Sequence, residues 1–125
     1  MTALMTPPRV ETRSKDLPKS LAGWEKPMYA IAFDMDIESL RSNYGDPYNN
    51  AYLEIRKILQ SHGFAWQQGC VYFGGEQINA VTCVLAAMDL SKQLPWFAPS
   101  VRDMRMLRIE ELNDLMPAVQ QASQE

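Results

Sequence analysis

Cysteine and histidine are scarce in this 125-residue chain, which has two of the first and one of the second. Cys70 and Cys83 have no further Cys or His at zinc-ligand spacing, which excludes a zinc module or a disulfide framework and leaves two reduced thiols. Any Ser-His-Asp or Cys-His chemistry would have to run through His62 alone. That residue stands just before Gly63 at the end of a helical pattern, where an imidazolium complements the helix dipole, so its expected role is structural. No run of 18 apolar residues occurs, so no membrane span is expected. Pro7, Pro8, Arg9 and Glu11 break up the N-terminus where a secretory signal would be apolar, and the expected compartment is the cytoplasm. Gly74-Gly75 lacks both the Walker Lys-Ser and the Rossmann spacing, which disfavours those kinds of nucleotide binding. Surplus positive charge is missing as well. Twelve Lys and Arg against 15 Asp and Glu give a net charge of -3, so a nucleic-acid surface would have to be a local patch.

What remains is an ordinary globular composition, 46% hydrophobic and 22% charged, at a length that supports one core. Residues 1–27 mix four prolines with Arg9, Arg13, Lys15 and Lys19 and show no apolar period. They read as a flexible extension in which Trp24 is the one residue suited to pin it down. Met28-Tyr29-Ala30-Ile31-Ala32-Phe33 is a short apolar run with β-branched and aromatic members, the pattern of a strand buried on both faces. It leads into Asp34-Met35-Asp36.

After a segment carrying Arg41, Asn43 and Tyr44, Asp46 suits an N-cap and Pro47 a first helical position. The helix they open would bury Ile55 and Leu59, turn Glu54, Arg56, Lys57 and Gln60 away, and end at Gly63. Residues 64–73 read as one bent strand or two short ones, because Gln67-Gln68-Gly69 interrupts an aromatic and β-branched run. A second helix is expected from Glu76 to Leu94, with a wide buried face that includes Val81, Val84, Leu85 and Met88 beside Cys83, Ala87 and Leu90. A strand over 100–110 and a weak amphipathic helix from Glu111 to about Val119 complete the domain, and 120–125 read as a disordered tail. This β-α-β(β)-α-β order with a short C-terminal helix predicts an α+β ferredoxin-like sandwich over residues 28–119. Helices on one face leave the other face of the sheet bare, which predicts a symmetric dimer.

Asp34 and Asp36 admit two readings. A carboxylate at the end of a buried strand is held rigidly while its oxygens reach solvent, as a metal ligand or general base requires. Alternatively, Asp36 caps the next turn and Asp34 begins the loop. Arg102, Arg105 and Arg108 also divide two ways, as phosphate contacts through guanidinium forks or as surface ion pairs. Strand alternation would send Arg102 and Arg108 to one side and Arg105 to the other.

Four blocks carry a resemblance. Met28-Tyr29-Ala30-Ile31-Ala32-Phe33-Asp34, Tyr44-Gly45-Asp46-Pro47-Tyr48-Asn49, Gly63-Phe64-Ala65-Trp66-Gln67-Gln68-Gly69 and Ser100-Val101-Arg102-Asp103-Met104-Arg105 resemble, in order, the virulence-associated protein D (VapD) family. The resemblance runs from Met28 to about Pro117 and implies a ferredoxin-like homodimer with endoribonuclease activity on single-stranded RNA. It further implies kinship to the small CRISPR-associated nuclease of spacer acquisition and, for some members, the toxin role in a toxin–antitoxin pair with an antitoxin protein as partner. Family members begin near Met28, and the strand-ending aspartate of the family falls on Asp34. Cys70 departs from the Ser that relatives often carry, and a thiol is the weaker hydrogen-bond donor.

One carboxylate makes a poor Mg²⁺ site, so a divalent metal would require Asp34 from both protomers across a two-fold axis; otherwise Asp34 would act as base on a ribose 2′-OH. Arg102, Arg105 or Arg41 would face the phosphate, and Tyr44 or Tyr48 could stack on an unpaired base, with Tyr48 the better candidate for core packing. Cys70 completes the expected substrate contacts. The competing reading is a non-catalytic dimeric module of the same fold that binds nucleic acid or protein.

Overall fold

The structure is a computed structural model that describes residues 27–124. The expected extension lies, save for Pro27, outside the described residues, as do Trp24 and Glu125. Strand β1 (Met28–Met35) is followed by helix α1 (Ile37–Asn43), helix α2 (Asn49–Ser61), and strands β2 (Phe64–Gln68) and β3 (Val71–Gly74). Helix α3 (Ala80–Gln93), the short α4 (Phe97–Ser100), strand β4 (Val101–Ile109) and helix α5 (Met116–Ser123) complete the order. The four strands form an antiparallel sheet in the order β2-β3-β1-β4, the ferredoxin-like arrangement.

Side chains alternate along β1. Ile31, Phe33 and Met35 join Leu40, Ile55, Leu59, Tyr72, Leu90 and Phe97 in one core, and each large aliphatic side chain so buried is worth roughly 1.5–3 kcal/mol. The opposite face carries Ala30, Ala32 and Asp34. Ala30 is sealed because the register sets Phe73 and Leu107 on either side of it. This face is therefore apolar at the Ala30 end and charged at the other, where Asp103 stands opposite Asp34 and Arg105 opposite Ala32.

Several local expectations are corrected. Residues 37–43 form a helix, because the Asp36 side chain accepts from the Ser39 backbone N–H and caps it at 3.3 Å. Helix α2 starts at Asn49 with Tyr48 as its cap residue, and Asp46 instead faces the Arg41 guanidinium at 3.6 Å. Its far end is as expected, with Gly63 in the left-handed region at φ +99°. Arg56 does not turn away from the core: it lies half-buried over the Trp66 ring at 3.9 Å, where the aromatic face compensates its cation. The bent-strand region resolves into two strands, β2 and β3, joined at Gly69, whose φ of +49° permits the tight turn.

Helix α3 begins at Asn79, which forms a capping box with Thr82, and buries Cys83, Ala86 and Leu90. Val81, Val84, Leu85 and Met88 are exposed, because no other described element lies beyond that stripe. Helix α5 starts at Met116 rather than Glu111. Pro117 is suited only to a first turn, and Asp114 accepts the Met116 N–H at 2.9 Å. It continues past Val119 to Ser123, so residues 120–123 are helical.

Candidate active site

Asp34 remains within β1, one residue before the strand ends, and its side chain is 62% exposed although both neighbours in sequence are buried. Its rigidity comes from the segment just beyond the strand. The Asp36 N–H donates to the Ser100 carbonyl at 2.8 Å, and Asn43 and Ser100 close a small network on the Ser39 carbonyl. This network ties α1 and α4 to the end of β1.

Between Asp34/Asp103 and Met35/Val101 the β1–β4 register slips by one residue, and Arg102 is the extra one. A bulge re-aims its side chain. The Arg102 guanidinium donates from Nη1 to Asp34 Oδ2 at 3.3 Å, although simple alternation predicts the opposite face. Arg105 donates from Nε to Asp103 Oδ2 at 2.9 Å, and Arg108 pairs with Glu110 at 2.7 Å. Asp34 and Asp103 thus form a cross-strand carboxylate pair with a guanidinium on each acid.

Cys70 enters from the other flank of β1, its carbonyl accepting the Phe33 N–H at 3.1 Å. Burial pushes its thiol up to about 11, and the Asp34 carboxylate adds to the shift. At neutral pH it is therefore a thiol, able to donate a hydrogen bond and unsuited to act as a nucleophile. Tyr52 of α2 belongs to the same neighbourhood. Burial raises its phenol to about 12, with Cys70, Tyr48 and Asp34 contributing in that order.

The structure thus brings together Asp34, Arg102 and Cys70, with Arg105 one step along β4. Arg41 and Tyr44 are engaged elsewhere. Arg41 pairs with Asp46 and lies 5.1 Å from the centre of the Tyr48 ring. The Tyr44 hydroxyl donates to Glu54 Oε2 at 2.7 Å, which raises its pKa, and its ring packs edge-on against Trp96 at 4.9 Å. Tyr48 packs against the core, as its helical spacing indicates. Sequence reasoning missed Tyr52, whose spacing after Tyr48 signals only a buried helix face, and Asp103, whose place opposite Asp34 depends on register. His62 is structural: Nε2 lies 2.8 Å from Asp89 Oδ2 and ties the end of α2 to α3.

The fit to a divalent metal can be judged from the donor set. Among the described residues no three His, Cys, Asp or Glu side chains converge, and both acids near the site carry a guanidinium. One protomer does not fit Mg²⁺, which prefers near-octahedral oxygen coordination.

Fold and site together define a small ferredoxin-like α+β protein that displays an acid–guanidinium cluster at the charged end of its open sheet face. No family model matches the chain. Individual relatives do. It is 54% identical over 93 residues to endoribonuclease VapD 2 of Riemerella anatipestifer, covering 74% of this chain and 99% of that protein. It is 55% identical over 92 residues to an endoribonuclease VapD homolog of Helicobacter pylori, covering 74% and 96%. It is 47% identical over 95 residues to endoribonuclease VapD of Dichelobacter nodosus, covering 76% and 100%. The chain belongs to the VapD family.

Proposed function

We propose that this protein is an endoribonuclease of single-stranded RNA that acts as a homodimer in the cytoplasm, with Asp34 as its central catalytic group. The observation that carries the activity is the match over nearly the whole length of relatives named endoribonucleases. Two free thiols fit a reducing compartment. The dimer reading rests on the bare sheet face, where Phe73 and Leu107 flank the sealed Ala30.

In the mechanism, the Asp34 carboxylate takes the proton from a ribose 2′-OH, and the 2′-oxygen attacks the adjacent phosphorus. The 5′-oxygen leaves and is protonated from water, giving a 2′,3′-cyclic phosphate and a 5′-OH end. Arg102 is already within hydrogen-bond reach of Asp34, so it can hold a phosphate oxygen beside the base and offset the growing charge. Arg105 supplies a second cation, and the Cys70 thiol offers a weak donor where relatives often carry a hydroxyl. No step runs through a metal. A metal-assisted variant would need Asp34 and Asp103 from two protomers at one axis.

The test is cleavage of end-labelled single-stranded RNA by the wild type and Asp34→Asn, with Mg²⁺ and with EDTA, and with product ends mapped. Loss in the variant with wild-type activity retained in EDTA supports Asp34 as base. Loss in EDTA moves the mechanism to paired carboxylates with metal. Equal cleavage by both proteins removes Asp34, and no cleavage by either favours the binding module.

A further inference from the structure

Among the described residues, two apolar surfaces besides the open sheet face stand without cover. The first is the exposed stripe of α3, Val81, Val84, Leu85 and Met88, at the i, i+3, i+4, i+7 spacing of one helix face. Val84 and Met88 border a groove of about 240 Å³ between α3 and β4, where Met104 and Met106 form the other wall. The second is the C-terminal arm. Leu112 and Leu115 in the connector and Met116 and Val119 of α5 are all exposed, Leu115 at 70%, and no residue of α5 is buried.

We propose that the arm of one protomer docks in the α3–β4 groove of a second copy, and that copy's arm in the first. The proposal rests on the homodimer reading above and specifies its contacts. Three observations select a second copy as occupant. The arm leaves β4 at Ile109, opposite Met28 and two residues beyond Leu107, so it continues from the apolar end of the proposed dimer face. Residues 110–115 span roughly 20 Å when extended, against roughly 10 Å between face-packed sheets, so the arm can reach around a partner's β4 edge to its helix side. The open face is apolar around Ala30, Phe73 and Leu107 and charged around Asp34, Asp103 and Arg105, so apolar contact between two such faces is concentrated at the end from which the arm leaves. Reciprocal arms add apolar contact with the self-complementarity of a two-fold interface.

The experiment uses the full chain and measures its mass in solution by size-exclusion chromatography with light scattering. Wild type is expected to run as a dimer. Met88→Lys and Val119→Glu, both at exposed positions, are each expected to run as monomers with unchanged circular dichroism. Mixed one to one, they are expected to regain dimer mass, because one groove then meets an unaltered arm and the other brings the introduced ammonium against the introduced carboxylate as an ion pair. A monomeric wild type, single variants that remain dimeric, or monomeric variants that do not recover on mixing would each overturn the proposal. The readout is mass, so it can fail while the Asp34→Asn cleavage test succeeds, and the reverse.

Discussion

The two sides of β1 contrast. On one side β3 and β2 lie against α2: four of the five β2 residues are buried, and Ala51, Ile55, Ile58 and Leu59 fill the space between helix and sheet. On the other side β4 makes the longer ladder with β1, eight register pairs against three for β3, yet none of its residues is buried. Backbone pairing is greater on the β4 side and side-chain cover on the β3 side. Hydrogen bonds hold β4 in register while apolar packing holds the α2 side, and the β4 strand keeps Arg102, Asp103, Arg105 and Arg108 exposed. Asp34 sits on the seam, with Cys70 towards the packed side and Arg102 towards the open one.

That contrast can be broken in order of effect. Asp34→Asn should lower kcat/KM for RNA by about 10²–10⁴-fold and leave the melting temperature within a degree or two, since the side chain is solvent-facing. A large loss of stability would show that the acid is structural. Ile55→Ala should cost about 2–5 kcal/mol by urea unfolding. In the monomeric Val119→Glu background, Met106→Ala on β4, half exposed, should cost less than about 1 kcal/mol, and equal costs would erase the difference between the two sides.

Arg102→Ala should lower kcat/KM about tenfold to a hundredfold through loss of a charge-assisted contact. Deleting Val101, which removes the bulge and leaves every charge in the chain, should do the same by turning Arg102 to the other face, and full activity in that deletion would dismiss the bulge as a positioning device. A smaller effect concerns Cys70. Its thiol pKa is raised to about 11, so the rate of iodoacetamide labelling, followed by peptide mass spectrometry, should keep rising roughly tenfold per pH unit beyond pH 9. A plateau near 9 would mean that neither burial nor Asp34 acts on it.

The smallest effect lies at the α2–α3 junction. Hydrogen bonds from His62 and Gln93 lower the Asp89 pKa below its ordinary 3.8. A depressed carboxylate stabilises the fold above its unfolded value, and that contribution is lost as pH falls through the lowered one. Asp89→Asn should therefore reduce the melting temperature slightly near pH 6 and not at about pH 2. A difference that persists in acid would assign the effect to packing.

Much of this is legible in the residues. The apolar run at Met28–Phe33, the periodicity ending at Gly63 and the Gly69 break yield the element order, because period and glycine conformation are local properties. Residues 37–43 do not read as helical because α1 is held mainly by the Asp36 cap and the buried Leu40 rather than by a long apolar stripe. The outward stripe of α3 reads as core because spacing marks a face without saying what covers it. For the site, Asp34 and the arginines can be named in advance. The diversion of Tyr44 to Glu54 and of Arg41 to Asp46 cannot, since each partner lies outside any chemical motif.

Residue chemistry alone sets where most strands and helices start and stop, which residues are apolar enough for a core, and that an acid stands at the end of the first strand. Those properties are set by side-chain chemistry within a few residues along the chain. Folding is what sets Asp103 opposite Asp34, turns Arg102 onto it, brings Cys70 and Tyr52 into its field, and leaves apolar surface exposed on β4, α3 and α5. Each depends on strand register and on which element covers which, and register and cover are settled between segments far apart in the chain.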